Sequence, residues 1–298
     1  MQHAFELEGI PPYNFYLTME KNFAIRRHAF YDLFDGESYF FGLGDPACTV
    51  RVTFTGTPEE PVFSVILAAD ELNNTKERKA LDRTAMMLGC NEDLGRFYRV
   101  AEMTELKSIT ERLEGLHMLQ FNGLFTALVL GILLQNAPVK RSMDMFSFIL
   151  ERYGRRMERD LYLPLRAQDL KKATAEDLRR GKLGYRANYV LKLAENFDDG
   201  VEKRIERMST KKAKEELMRF DGVGDYTAEF ALFGSTHRKK RRYDVFPIDS
   251  WSLGIYANVF SIEEEKRERA KALCRRHAEE HFGTLMGLAF WYVMMSTF

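Results

Sequence analysis

Cysteine is scarce. Cys48, Cys90 and Cys274 are the three in 298 residues, and they lie far apart. Without CxxC spacing, neither a disulfide framework nor a zinc site is indicated, and a four-cysteine iron–sulfur cluster is excluded by count. A reducing compartment is the plain inference. Net charge is absent too: 44 Lys+Arg balance 44 Asp+Glu. This argues against a bulk electrostatic nucleic-acid binder, so any nucleic-acid face has to be a local patch. Long apolar runs are also missing. The longest, Leu124 to Leu134, contains Thr126 and Gly131, is too short to span a bilayer, and reads as a buried core helix. Met1-Gln2-His3-Ala4-Phe5-Glu6 offers no basic region leading into an apolar one, so no signal peptide is expected.

Aromatic residues are plentiful, at 13% of the chain, a large stock for packing or base stacking. Up to about Asp70 the pattern is strand-rich. Tyr39–Leu43, Thr49–Phe54 and Pro61–Leu67 carry β-branched and aromatic residues, with a turn at Gly44-Asp45-Pro46. Beyond Asp70 it turns helical. Thr75–Gly89, Asn122–Leu134, Ser142–Tyr153, Ala187–Phe197, Lys211–Phe220, Tyr226–Phe233 and Leu285–Met295 carry apolar residues at helical spacing. Thr174-Ala175-Glu176-Asp177 and Ser261-Ile262-Glu263-Glu264 read as capping boxes. The expected architecture is a small α+β N-terminal domain, residues 1–100, followed by an all-α domain, residues 101–298.

The most informative segment is Gly222-Val223-Gly224-Asp225-Tyr226, a turn between two helical stretches. Glycine at 222 and 224 allows positive φ, and the bare N–H groups at the start of the next helix suit a phosphate. An ordinary helix corner can use the same turn. Asp221 and Asp225 flank it and would repel an anion. Asp249 follows Pro247-Ile248 at the start of a further helix. It is a natural N-cap, and the same carboxylate could stabilise oxocarbenium charge and orient a water beside a sugar. Asp244 is a nearby rival. Tyr226 and Phe230 share a helix face at i, i+4, either as core or as an aromatic wall for an extruded base, and Trp251 follows Asp249 closely enough to join that pocket. Gln135-Asn136-Ala137-Pro138 either closes a helix or forms a polar tip that fills the space of a flipped base, with Lys140 and Arg141 behind it. Gly184-Tyr185-Arg186-Ala187 is another short turn before a helix. Arg238-Lys239-Lys240-Arg241-Arg242 is a basic run, either a solvated loop or a set of phosphate contacts.

At these residues the chain resembles the helix-hairpin-helix (HhH-GPD) superfamily of DNA base-excision glycosylases. The hairpin Gly222–Ala228 and Pro247-Ile248-Asp249 match its signature in order and spacing, and weaker similarity runs through Leu134-Gln135-Asn136 and Leu183–Val190. Pro11-Pro12-Tyr13-Asn14 is similar to the start of the α+β domain of the alkylpurine and 8-oxoguanine branches. The resemblance implies a TBP-like antiparallel sheet with helices before the helical domain. It makes Asp249 the catalytic aspartate, Asn136 the wedge into the duplex, and Gln135, Gly222, Val223, Gly224, Lys140, Arg141 and Arg186 the DNA contacts. Tyr226 stands where the bifunctional branch has its nucleophilic lysine, so no Schiff base and no AP-lyase activity are expected. Tyr226 and Phe230 fit the alkylpurine branch, whereas Gly184–Ala187 is more like the 8-oxoguanine branch. Asp221 departs from the family's usual proline. The implied activity is monofunctional removal of damaged, alkylated purines, with an 8-oxoguanine enzyme or a catalytically silent lesion-binding protein as alternatives. No organic cofactor is implied. A structural Na+ or K+ is implied at hairpin carbonyls near Phe220 and Gly222. The implied partner is damaged double-stranded DNA, bound by a monomer in the cytoplasm, at the nucleoid of a prokaryote.

Overall fold

The computed structural model describes residues 2–26, 32–235 and 241–298. Five antiparallel strands form one sheet: β1 (Gln2–Glu8), β2 (Asp32–Phe34), β3 (Ser38–Gly44), β4 (Ala47–Phe54) and β5 (Val62–Ala68), in spatial order β1-β5-β4-β3-β2. Period-two alternation places Cys48, Val50 and Val52 of β4, and Phe63, Val65 and Leu67 of β5, on one buried face. Two helices complete this part, α1 (Phe15–Arg26) and α2 (Asn74–Leu88).

Helix α1 lies in a stretch read from sequence as strand-rich. Its buried face is Phe15, Thr18, Met19 and Asn22, at helical spacing, but two of the four are polar. Those two hold a crossing segment: Thr18 Oγ1 accepts from the His117 N–H at 3.0 Å, and Asn22 bridges the His117 carbonyl and the Leu119 N–H. A core face built from polar groups leaves little apolar periodicity to detect.

The rest of the described chain is helical: α3 (Gly95–Ala101), α4 (Lys107–Arg112), α5 (Leu124–Leu134), α6 (Val139–Tyr153), α7 (Ala175–Arg180), α8 (Arg186–Asn196), α9 (Asp199–Arg207), α10 (Thr210–Leu217), α11 (Asp225–Gly234), α12 (Ser250–Val259), α13 (Arg267–Phe282) and α14 (Met286–Met295). Two buried apolar clusters result. One runs from Tyr13 to Cys90 and includes Leu119; the other starts at Leu94 and is centred on α5, buried on every side, with α11 packed along it.

The box at Thr174 caps α7 by accepting from the Asp177 N–H at 3.1 Å. The one expected at Ser261 does not form. Ser261 has φ 51° just after α12, and α13 begins only at Arg267, so this serine terminates a helix.

Candidate active site

Helices α10 and α11 enclose the glycine turn. Gly222 has φ +82°, and a Cβ there would lie 2.3 Å from Cγ of Tyr189. Close packing against that ring, as well as backbone handedness, therefore requires glycine. Gly224 differs from expectation. Its φ is −95°, an ordinary extended value, and it is the N-cap residue of α11. A Cβ at Gly224 would meet nothing within 4 Å, so the turn is open on this side. Val223 between them is buried and anchors the turn in the core.

The two flanking carboxylates are both neutralised. Asp221 pairs with Lys192, and Asp225 with Lys214, each at 2.5 Å. The Lys214 hydrogen bond holds the Asp225 carboxyl below its usual range. The repulsion that sequence suggested is thus offset by cations from α8 and α10.

Gln135, at the end of α5, donates from Nε2 to the Gly222 carbonyl at 2.6 Å and to Thr227 Oγ1 at 3.1 Å. Its own carbonyl is held by Arg186, whose Nε donates at 3.0 Å and whose Nη2 reaches the same oxygen. Arg186 also approaches the Leu183 carbonyl and is 6% exposed. The expectation that Arg186 contacts DNA is therefore corrected: it is a buried brace for the α5–α6 turn, because helix α8 starts beneath that turn. The tip itself is exposed. Asn136 has φ 49° and donates to the Tyr185 hydroxyl at 3.3 Å, and Tyr185 is 47% exposed. Lys140 and Arg141 are exposed on the first turn of α6, Lys140 lying 3.5 Å from Asp144.

The basic run divides. Arg238, Lys239 and Lys240 lie outside the described residues. Arg241 and Arg242 are structural rather than solvated. Arg241 pairs with Glu92 at 2.9 Å and donates to the Met118 carbonyl, and Arg242 donates to Thr210 and to the Ile205 carbonyl.

Asp249 is the N-cap of α12. Its Oδ1 accepts from the Ser252 N–H at 2.8 Å and from the Ser252 hydroxyl at 2.6 Å, while Ser252 Oγ accepts from the Asp249 N–H at 2.9 Å. The carboxylate is half-buried, and no cation pairs with it among the described residues. The rival Asp244 is exposed and accepts from the Thr210 hydroxyl at 2.8 Å. The segment leading to Asp249 is clamped by a residue that sequence did not single out. Glu229, buried on α11, binds Lys214 and Arg275, each at 2.8 Å, and accepts from the Phe246 N–H at 3.3 Å. Arg275 in turn donates to the Phe246 carbonyl at 3.1 Å. A charge between two aromatics on a helix carries no pattern that reveals this role.

Tyr226 and Phe230 are half-buried, with ring centroids 5.9 Å apart at an interplanar angle of 25°. Phe121, another residue the sequence did not flag, abuts Phe230 at 5.4 Å. Burial first, and the negative charge of Asp249 second, push the Tyr226 hydroxyl pKa up, which puts the phenol within electrostatic reach of the carboxylate. Trp251 stands apart. It is 56% exposed, and its ring lies against Phe298 at 5.9 Å, not against Tyr226 or Phe230. In this structure its ring therefore does not stack on the Tyr226–Phe230 pair.

No family model and no curated protein sequence matches the chain. Solved structures do. A 3-methyladenine DNA glycosylase from Archaeoglobus fulgidus superposes with TM-score 0.79 at 19% identity, over 98% of each chain. The 8-oxoguanine glycosylase/lyase of Clostridium acetobutylicum, bound to double-stranded DNA with cytosine opposite 8-oxoguanine, gives TM-score 0.75 at 18% identity, over 99% of this chain and 97% of that one. MBOgg1 in complex with a low-affinity DNA ligand gives 0.76 at 20%, over 98% and 94%. Over nearly its whole length, the chain has the fold of these 3-methyladenine and 8-oxoguanine DNA glycosylase structures.

Proposed function

We propose that the protein is a monofunctional DNA glycosylase that excises alkylated purines and leaves an abasic site. The observation that carries this reading is the Asp249 carboxylate. It is oriented by Ser252, lacks a cationic partner among the described residues, and lies within electrostatic reach of Tyr226, which stacks with Phe230. In this reading the open Gly224 side of the hairpin grips a phosphate through backbone N–H groups, and Lys140 and Arg141 add charge. The Asn136 tip enters the duplex as the damaged nucleotide turns out, at a cost of a few kcal/mol. A cationic alkylpurine stacks on the Tyr226–Phe230 wall. The C1′–N bond then breaks with its electron pair leaving on the purine. Asp249 stabilises the positive sugar and directs water to C1′. A tyrosine at position 226 supplies no amine for a Schiff base, so strand cleavage is not part of the reaction.

The reading also takes the sheet with α1 and α2 as TBP-like, the chain as two units divided near residue 100, and the protein as a cytoplasmic monomer acting on double-stranded DNA without an organic cofactor. Among the described residues, no helix is long and apolar enough to cross a membrane. The same reading includes a structural Na+ or K+ at the hairpin carbonyls of Phe220 and Gly222. The Phe220 carbonyl accepts from the Val223 N–H and the Gly222 carbonyl from Gln135, so each keeps one lone pair for a cation.

The test is a panel of labelled duplexes carrying 3-methyladenine, 7-methylguanine or 8-oxoguanine, scored with and without alkali. Release of the alkylpurines, with strand breaks only after alkali, is expected. Excision of 8-oxoguanine alone would replace the substrate class. Asp249→Asn should slow release by about three orders of magnitude, to a residual rate still measurable in single turnover, while leaving duplex binding. If wild type binds lesions but releases no base, the protein is a binding module. A borohydride-trapped adduct would reveal a lysine nucleophile.

A further inference from the structure

We infer that Ser252 is a positioning residue for the proposed excision reaction, selecting which oxygen of Asp249 faces the sugar. This inference rests on the reading of Asp249 as the catalytic carboxylate. Two donors from one residue, the Ser252 N–H and hydroxyl, converge on Oδ1 at 2.8 and 2.6 Å. The hydroxyl has a second acceptor in the Asp249 carbonyl, but at 3.5 Å that contact is far longer. Oγ is simultaneously fixed from the other side by the Asp249 N–H at 2.9 Å. The Ser252 side chain is buried, so water does not compete for these bonds.

An ordinary N-cap needs only the N–H contact to the side-chain oxygen. The added hydroxyl bond, a short charge-assisted one, does something more. The two bonds to Oδ1 restrain the Asp249 carboxylate, and the third, from the Asp249 N–H, fixes the Ser252 oxygen that makes one of them. Oδ1 is turned toward the helix, and Oδ2, to which no donor is assigned among the described residues, is left as the oxygen available to the substrate. Electrostatic stabilisation of a developing charge depends on such preorganisation, since a freely rotating carboxylate would have to be oriented during the reaction.

The experiment compares single-turnover release of the preferred alkylpurine by wild type, Ser252→Ala and Ser252→Thr, with duplex affinity measured for each. Ser252→Ala keeps the backbone cap and loses the hydroxyl. It should slow release about ten- to a hundredfold, with affinity changed by less than about twofold. Ser252→Thr, which restores the hydroxyl, should recover most of the rate. In an Asp249→Asn background, Ser252→Ala should have almost no further effect, because its influence passes through Asp249. Release by Ser252→Ala at the wild-type rate overturns the inference. So does an equal slowing in both backgrounds, or failure of folded Ser252→Thr to recover. Should Ser252→Ala not fold, Ser252→Cys, a poor donor of similar size, carries the same comparison. If Asp249→Asn itself excises normally, the catalytic reading of Asp249 fails instead, and the two failures are distinguished.

Discussion

Gln135 and Gly222, 87 residues apart in sequence, are joined by a 2.6 Å hydrogen bond from the side-chain amide to the backbone carbonyl. The polar tip after α5 and the glycine hairpin are therefore one unit, and Arg186 braces the same glutamine from behind. Gln135→Leu should cost about 1–3 kcal/mol of unfolding free energy in urea, because it leaves a partly buried carbonyl without its donor. It should also weaken duplex binding, since the hairpin and the tip lose their common register.

The two glycines of the hairpin should respond oppositely to alanine. Gly222→Ala forces a Cβ into the Tyr189 ring at a left-handed position, and should lower stability by roughly 2–4 kcal/mol in chemical denaturation. Gly224→Ala meets open space at an ordinary φ. It should fold normally yet bind duplex DNA less tightly, because its methyl group stands where a phosphate would approach. Equal losses of stability in both variants would contradict the assigned roles.

Glu229 holds two cations and a backbone N–H inside the fold. Glu229→Ala should destabilise by about 3–5 kcal/mol, the cost of leaving Lys214 and Arg275 without their shared anion. Where the variant remains folded, thermal melting should show the loss and base release should fall with it, since the segment carrying Asp249 is no longer clamped to α11.

Arg141 and Arg186 separate surface charge from buried support. Arg141→Ala should leave the melting temperature unchanged and reduce the slope of log affinity against log salt by about one. Arg186→Ala should lower the melting temperature instead, because the Gln135 carbonyl loses its guanidinium.

His117 sets an acid limit on stability. Its Nε2 is 3.2 Å from the Pro12 carbonyl and its ring stacks on Tyr13 at 4.3 Å. Burial pushes the imidazole down from 6.5 to about 4. The fold keeps it neutral, while the unfolded chain takes up a proton below about pH 6.5. Its contribution is complete above that pH and is lost progressively as pH falls toward and through about 4, a total of roughly 3 kcal/mol. Urea denaturation between pH 7.5 and pH 4 should show this slope, and His117→Gln should flatten it.

Amino-acid order alone determined the strands β3, β4 and β5, the buried helix α5, the hairpin between α10 and α11, and the candidacy of Asp249, Tyr226 and Phe230. These are local matters. Alternation, helical periodicity, a glycine pair and an acid after a proline are each written within a few residues. Only the tertiary structure decided which charges are free and which are engaged. The resemblance implies Arg186 as a DNA contact, and Arg241 and Arg242 read either as a solvated loop or as phosphate contacts, yet each is buried on carbonyls or a carboxylate from remote segments. Asp221 and Asp225 read as obstacles to an anion, and lysines from α8 and α10 neutralise both. Helix α1 escaped detection because its core-facing Thr18 and Asn22 serve a partner about a hundred residues away. The physical reason is the same throughout. Apolar burial follows a short-range period, whereas a polar side chain takes its meaning from whichever donor or acceptor the fold brings to it.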